Sequence, residues 1–98
     1  MLIHKERLTG STASGSLTLT TAKFSGVRLI NIYVNPTTAS TTYDLLIEDL
    51  NSDDIFEELG IQGQLNRTVR IATYGSHTVT ISNASVDEAF VVKLGLEE

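Results

Sequence analysis

The sequence contains no cysteine and no tryptophan, one proline, one methionine and two histidines in 98 residues. Without cysteine there is no disulfide, no thiolate metal ligand and no cysteine nucleophile. A small core of this kind must stabilise itself or gain support from neighbouring chains. The absence of tryptophan removes the side chain best suited to stacking on sugar rings. Basic residues are few and scattered: seven Lys and Arg stand against twelve Asp and Glu, for a net charge of −5. Nucleic-acid binders cluster their Lys and Arg to displace counterions, so nucleic acid is not an expected partner. No apolar run is long enough to span a membrane as a helix, so no membrane partner is expected either. The opening "MLIHKERLTG" places charges where a signal peptide carries its apolar segment, and is read as non-secreted, or released by lysis.

What the chain has in quantity is Thr, Val and Ile, which favour the pleated, half-buried surface of a sheet. Its length fits one domain, residues 1–98. Apolar residues recur with a period of two. Leu17 and Leu19 oppose Thr18 and Thr20; Tyr43, Leu45 and Ile47 oppose Asp44, Leu46 and Glu48. Val69 and Ile71 alternate with Thr68 and Arg70, and Val79 and Ile81 with Thr78 and Thr80. Phe90, Val92, Leu94 and Leu96 alternate with Val91, Lys93 and Gly95. One stretch changes phase: Val27 and Leu29 share a face, then Ile30, Ile32 and Val34 take the other. Either a β-bulge lies there, or both faces of that strand are covered. Pro36 ends it, because proline cannot donate to a ladder. "DDIFEELG" reads as strand rather than helix, since Ile55 and Phe56 lie between turns. Turn-forming clusters at short intervals predict about eight strands in an all-β, antiparallel β-sandwich of jelly-roll or Greek-key topology. Residues 1–10 form either an N-terminal arm or an edge strand.

Catalytic motifs are hard to find. Asp49, Asn51 and Asp53 have the D-x-N-x-D spacing that opens a calcium-binding loop. The sixth and twelfth positions of that loop need Gly and Glu, and here they are Asp54 and Gly60. A hairpin turn, with Asx side chains bonding their own backbone, explains the cluster better, and Ca²⁺ is kept only as a weak candidate. His77 is in phase with Val79 and Ile81 and reads as structural. There is no G-x-S-x-G elbow, and the adjacent carboxylates Asp87–Glu88 and Glu57–Glu58 point apart if they lie on strands. The expectation is a protein that is not an enzyme and needs no cofactor.

The outward positions carry the remaining information. Thr18 and Thr20 belong to flat, uncharged faces that cost little side-chain entropy to cover. Leu46 and Val91 point outward beside core-facing partners, and Ile30 and Ile32 add apolar surface. His4, Lys5 and Arg7 give the N-terminal segment a basic character. These nine residues are the candidate interface, and they predict a homo-oligomer or a docked subunit.

The segments "GVRLINIYVNPTTASTTYDLLIEDLNSDDIF", "GIQGQLNRTVRI" and "GSHTVTISNASVDEAFVVKL" resemble small β-sandwich accessory proteins in the virions of tailed bacteriophages. Their layout is also similar to pre-peptidase C-terminal domains. The resemblance covers Gly26 to Leu94 and consists of strand-and-turn patterns, so it transfers no functional residue. It implies a capsid decoration, or cement, protein on the virion surface, made in the host cytoplasm. Its partners would be the major capsid protein or other virion subunits, with a trimer as the favoured state. The alternative is a carbohydrate- or host-surface-binding module.

Overall fold

The computed structural model describes residues 3–22 and 28–97. Eight strands follow one another: β1 Ile3–Ser11, β2 Leu17–Thr20, β3 Arg28–Pro36, β4 Thr42–Glu48, β5 Asp54–Gln62, β6 Leu65–Ala72, β7 Thr78–Ser82 and β8 Ala89–Glu97. They pair first with last and inward from there: β1 with β8, β2 with β7, β3 with β6, β4 with β5, all antiparallel. Two further pairings, β3 with β8 and β4 with β7, turn this rolled double ribbon into two four-stranded sheets. Their strand orders are β1-β8-β3-β6 (the first sheet) and β2-β7-β4-β5 (the second). This is jelly-roll wrapping, and each strand's apolar face is buried against the opposite sheet.

The core follows the alternation. Leu29, Ile32, Val34, Tyr43, Leu45, Ile47, Val79, Ile81, Phe90, Val92, Leu94 and Leu96 are all buried. Across the middle, the Tyr43 and Phe90 rings meet edge to face, centroids 5.2 Å apart at 80°. The Tyr43 hydroxyl donates to the Gly63 carbonyl at 2.8 Å, so burying this polar tip leaves no unmet donor.

The phase change is a β-bulge. Register shifts between Leu29 and Asn31 on both sides of β3. Leu29 therefore stays in the core with Ile32 and Val34, while Ile30 leans outward beside Asn31. Val27 lies outside the described residues. The bulge corrects one expectation: Ile32 is fully buried and is a core residue, not an interface residue.

The N-terminal segment is no arm. β1 pairs with β8 over its whole length, from Ile3 opposite Glu97 to Ser11 opposite Ala89. It is an edge strand whose inward side, including Leu8, packs on the core. At the opposite edge, the Arg67 guanidinium of β6 holds the Glu58 carboxylate of β5 through two bonds, at 2.8 and 3.0 Å, and ties the sheets together.

Candidate functional site: two unlike sheet faces

Burial alternation and register together assign the outward side chains of the described strands to one of two faces. On the first sheet, Arg7, Lys93, Tyr33 and Asn66 form one cross-strand row. Lys5, Gly95, Asn31 and Thr68 form the next. Lys5, Arg7 and Lys93 are exposed. The Lys93 ammonium lies 5.1 Å from the centre of the Tyr33 ring, within cation–π range. Arg28 and Arg70 also face outward, so five of the six basic residues among the described residues share this face, Arg67 being the sixth. Among the described residues one acid points out of this face, Glu97, which pairs with Arg28 at 3.5 Å.

A groove of about 570 Å³ crosses this face. Its floor is Gly95, which packs closely against its neighbours on β3; a Cβ there would meet Asn31 Cβ at 3.2 Å, so a larger residue would crowd the groove. Ile3, Ile30 and Tyr33 give it apolar walls, and Lys5, Arg7 and Lys93 line it with cations, alongside one acid, Glu6.

The second sheet presents the reverse chemistry. Thr18, Thr80, Leu46 and Glu57 form one outward row, and Thr20, Thr78, Glu48 and Asp54 another. Asp44 lies outward two residues before Leu46. It accepts from the Asn83 amide at 2.7 Å and the Gly60 N–H at 2.8 Å. These bonds hold its carboxyl below the usual carboxylate range, the Asn83 amide contributing most. Among the described residues no basic side chain points out of this sheet.

The sequence candidates distribute as follows. Lys5, Arg7 and Ile30 meet at the groove; Thr18, Thr20 and Leu46 meet on the threonine face. Val91 lies on the first sheet's outer face, between Thr9 and Asn35. His4 differs from Lys5 and Arg7: it sits on the other side of β1, with its ring 2.8 Å from the Glu6 carboxylate. Glu6 also accepts from the Ala22 N–H, which together with His4 holds its carboxyl low. His4 therefore belongs to the inner side of the edge strand and not to the exposed face. Sequence periodicity pointed Lys93 and Gly95 outward but carried no sign that they sit beside Lys5 and Tyr33, because strand neighbours are set by topology.

The acidic cluster is a turn. One Asp49 carboxylate oxygen accepts the N–H groups of Asn51 at 2.9 Å and Asp53 at 3.0 Å. The Asp49 N–H donates to the Asp53 carbonyl at 3.0 Å, and Ser52 takes positive φ at the tip. Among the described residues, no three His, Asp or Glu side chains are placed to hold a metal ion. His77 is fully buried beside Thr73, whose hydroxyl lies 2.6 Å from its ring, and its N–H donates to the Thr21 hydroxyl. Burial disfavours its charged form and lowers its pKa.

No protein-family model and no curated protein matches this chain. Its fold has counterparts among solved structures. The pre-peptidase C-terminal domain of a Bacillus anthracis collagenase aligns over 90% of this chain and 86% of its own, with TM-score 0.62 and 11% identity. A protein of the disulfide-linked pili of Bacillus endospore appendages aligns over 98% and 87%, with TM-score 0.62 and 14% identity. The lectin-binding domain of lectinolysin, solved in complex with Lewis b, aligns over 92% and 71%, with TM-score 0.59 and 4% identity. At such identities the likeness is one of architecture: this chain is an eight-stranded jelly-roll β-sandwich of a kind found in enzyme-appended, lectin and filament-forming proteins.

Proposed function

We propose that this chain is a non-catalytic structural subunit that docks on a larger protein assembly through its sheet faces. The carrying observation is the outer surface of β2, β7 and β4, where Thr18, Thr20, Thr78 and Thr80 make a flat, short-side-chain sheet around Leu46. Threonine hydroxyls lose little rotamer freedom when covered, and a flat face brings many backbone and methyl contacts within reach at once. A subunit that binds only the assembled form shifts the equilibrium toward assembly by mass action. The sequence resemblance over Gly26 to Leu94 supports a tailed-phage virion as that assembly, with the major capsid protein as neighbour and capsid decoration as the role. The test is quantitative mass spectrometry of purified virions from the phage that encodes the chain. A fixed stoichiometric ratio to the major capsid protein supports the reading; absence from the particle overturns it.

The groove favours a second reading, a carbohydrate- or host-surface-binding module. Tyr33, Asn31 and Lys93 line it, the Lys93 ammonium lying over the Tyr33 ring and the Asn31 amide donating to Asn66 and the Arg67 carbonyl of β6. A glycan array probed with and without Ca²⁺ tests this: retention on a defined set of glycans supports it, and uniform silence removes it.

A further inference from the structure

The two outer faces fit one another. Gly95 floors a groove with apolar walls, with Lys5 directly across on β1, Lys93 two residues back on β8 and Arg7 on the diagonal, while the acid Glu97, two residues forward on β8, is paired with Arg28. Leu46 is a half-buried apolar side chain within a threonine sheet, with Asp44 and Glu48 two residues to either side on β4 and Glu57 directly across on β5. Both rings of charge are drawn on the same lattice. Residues two apart on a strand are about 6.7 Å apart, and neighbouring strands about 4.8 Å. Cations around Gly95 and carboxylates around Leu46 therefore lie at similar radii. Among the described residues, Lys5, Arg7 and Lys93 have no carboxylate within salt-bridge range, and Glu48 and Glu57 have no basic partner.

We propose that a second copy of this chain covers the basic face, with Leu46 of one copy seated in the Gly95 groove of the next. This rests on the docking reading above and names one of its partners. The contact joins two different faces, so a pair retains one free groove face on one copy and one free Leu46 face on the other. Such a contact closes into a ring or continues as a stack, and does not yield a two-fold dimer. The molecule measures 37 × 22 × 19 Å, which gives a sheet face of about 800 Å², near what one partner contributes to a standard specific interface. Exposed charge pairs are screened by salt, so the association weakens as ionic strength rises.

Light scattering on the full chain, with charge-reversed variants, tests this. Lys5→Glu/Arg7→Glu/Lys93→Glu makes the surroundings of both Leu46 and the groove acidic; Glu48→Lys/Glu57→Lys makes both basic. Wild type is expected to exceed monomer mass at low salt. Each variant alone, its fold checked by circular dichroism, is expected to be monomeric, and an equimolar mixture of the two is expected to recover the assembly. Leu46→Ala, which changes no charge, is expected to weaken wild-type association at least about tenfold, as loss of a central anchor does, and decides the matter should a charge variant fail to fold. A wild type that stays monomeric at every concentration and salt overturns the proposal. So does a variant that keeps wild-type mass, a mixture that does not associate, or an unaffected Leu46→Ala. None of these results removes the docking reading, which stands or falls on whether the chain is present in the particle.

Discussion

On one outer face of the sandwich, Lys5, Arg7, Arg28, Arg70 and Lys93 stand around a single acid, Glu97; on the other, Asp44, Glu48, Asp54 and Glu57 border a threonine sheet without a base among the described residues. Both surfaces arise from the same period-two alternation over the same core. The difference shows how little net charge says about a small β protein: a chain at −5 carries one strongly basic face. Separating the signs leaves like charges as neighbours, which costs some stability in an isolated subunit. Covering each face with the opposite sign would remove that cost. The contrast is consistent with the proposed docking, and differs from the interspersed charges recommended for a surface meant only to be soluble.

The largest disruption of this contrast is to remove one face. Deleting residues 1–8 takes away most of β1, with Lys5 and Arg7, and uncovers β8, whose Val92, Leu94 and Leu96 are buried. The expected result is loss of the cooperative thermal transition, since the loss is comparable to the total stability of a small domain, about 5–15 kcal/mol. Retention of a cooperative melt would mean that β1 behaves as an arm after all.

Phe90→Ala strikes the layer between the faces. Phe90 lies in the first sheet and meets Tyr43 of the second. Truncating it is expected to cost about 3–5 kcal/mol in urea unfolding, disturbing both faces alike. A cost below about 1 kcal/mol would place the main packing elsewhere.

Acidification acts more gently, through His77. Its folded pKa lies below the unfolded value, so the unfolded chain binds more protons between the two. Stability is complete above about pH 6.5, the ordinary histidine value, and falls as pH drops below it. His77→Gln is expected to flatten this slope in denaturant titrations between mildly acidic and neutral pH. An unchanged slope would assign the dependence to other groups. Glu6, Asp44 and Glu88 titrate lower still: their folded pKa values are depressed, so their contribution is lost only as pH falls through those values, below the ordinary 4.5 of Glu or 3.8 of Asp.

The smallest effect concerns the acidic turn. Asp49→Ala removes two hydrogen bonds from one carboxylate oxygen and is expected to cost about 1 kcal/mol. EDTA is expected to leave the melting temperature of wild type unchanged. A rise of several degrees with Ca²⁺, abolished by Asp49→Ala, would make the turn an ion site.

How much of this was legible in the sequence varies with distance along the chain. Alternation assigned Phe90, Val92, Leu94 and Leu96 to the core and marked the phase change that the structure resolves as a bulge at Leu29–Asn31, because side-chain direction on a strand is local, while Ile55 and Phe56 between turns identified β5 as strand. The pattern misread Ile32 because a phase change alone does not say which half of the strand faces the core. It grouped His4 with Lys5 and Arg7 although these point to opposite sides of β1. The groove was invisible: Gly95, Lys5 and Tyr33 are far apart in sequence and meet only through the order β1-β8-β3. For the same reason the separation of charge could not be read before each strand had been assigned to a sheet.

Electron cryo-microscopy of the chain in its native assembly tests most directly whether the sheet faces are the working surfaces. The account predicts neighbouring protein density over the Thr18–Thr80–Leu46 row and over the groove at Gly95. Contacts made only by the loops at the ends of the sandwich, with both faces bare, would contradict it.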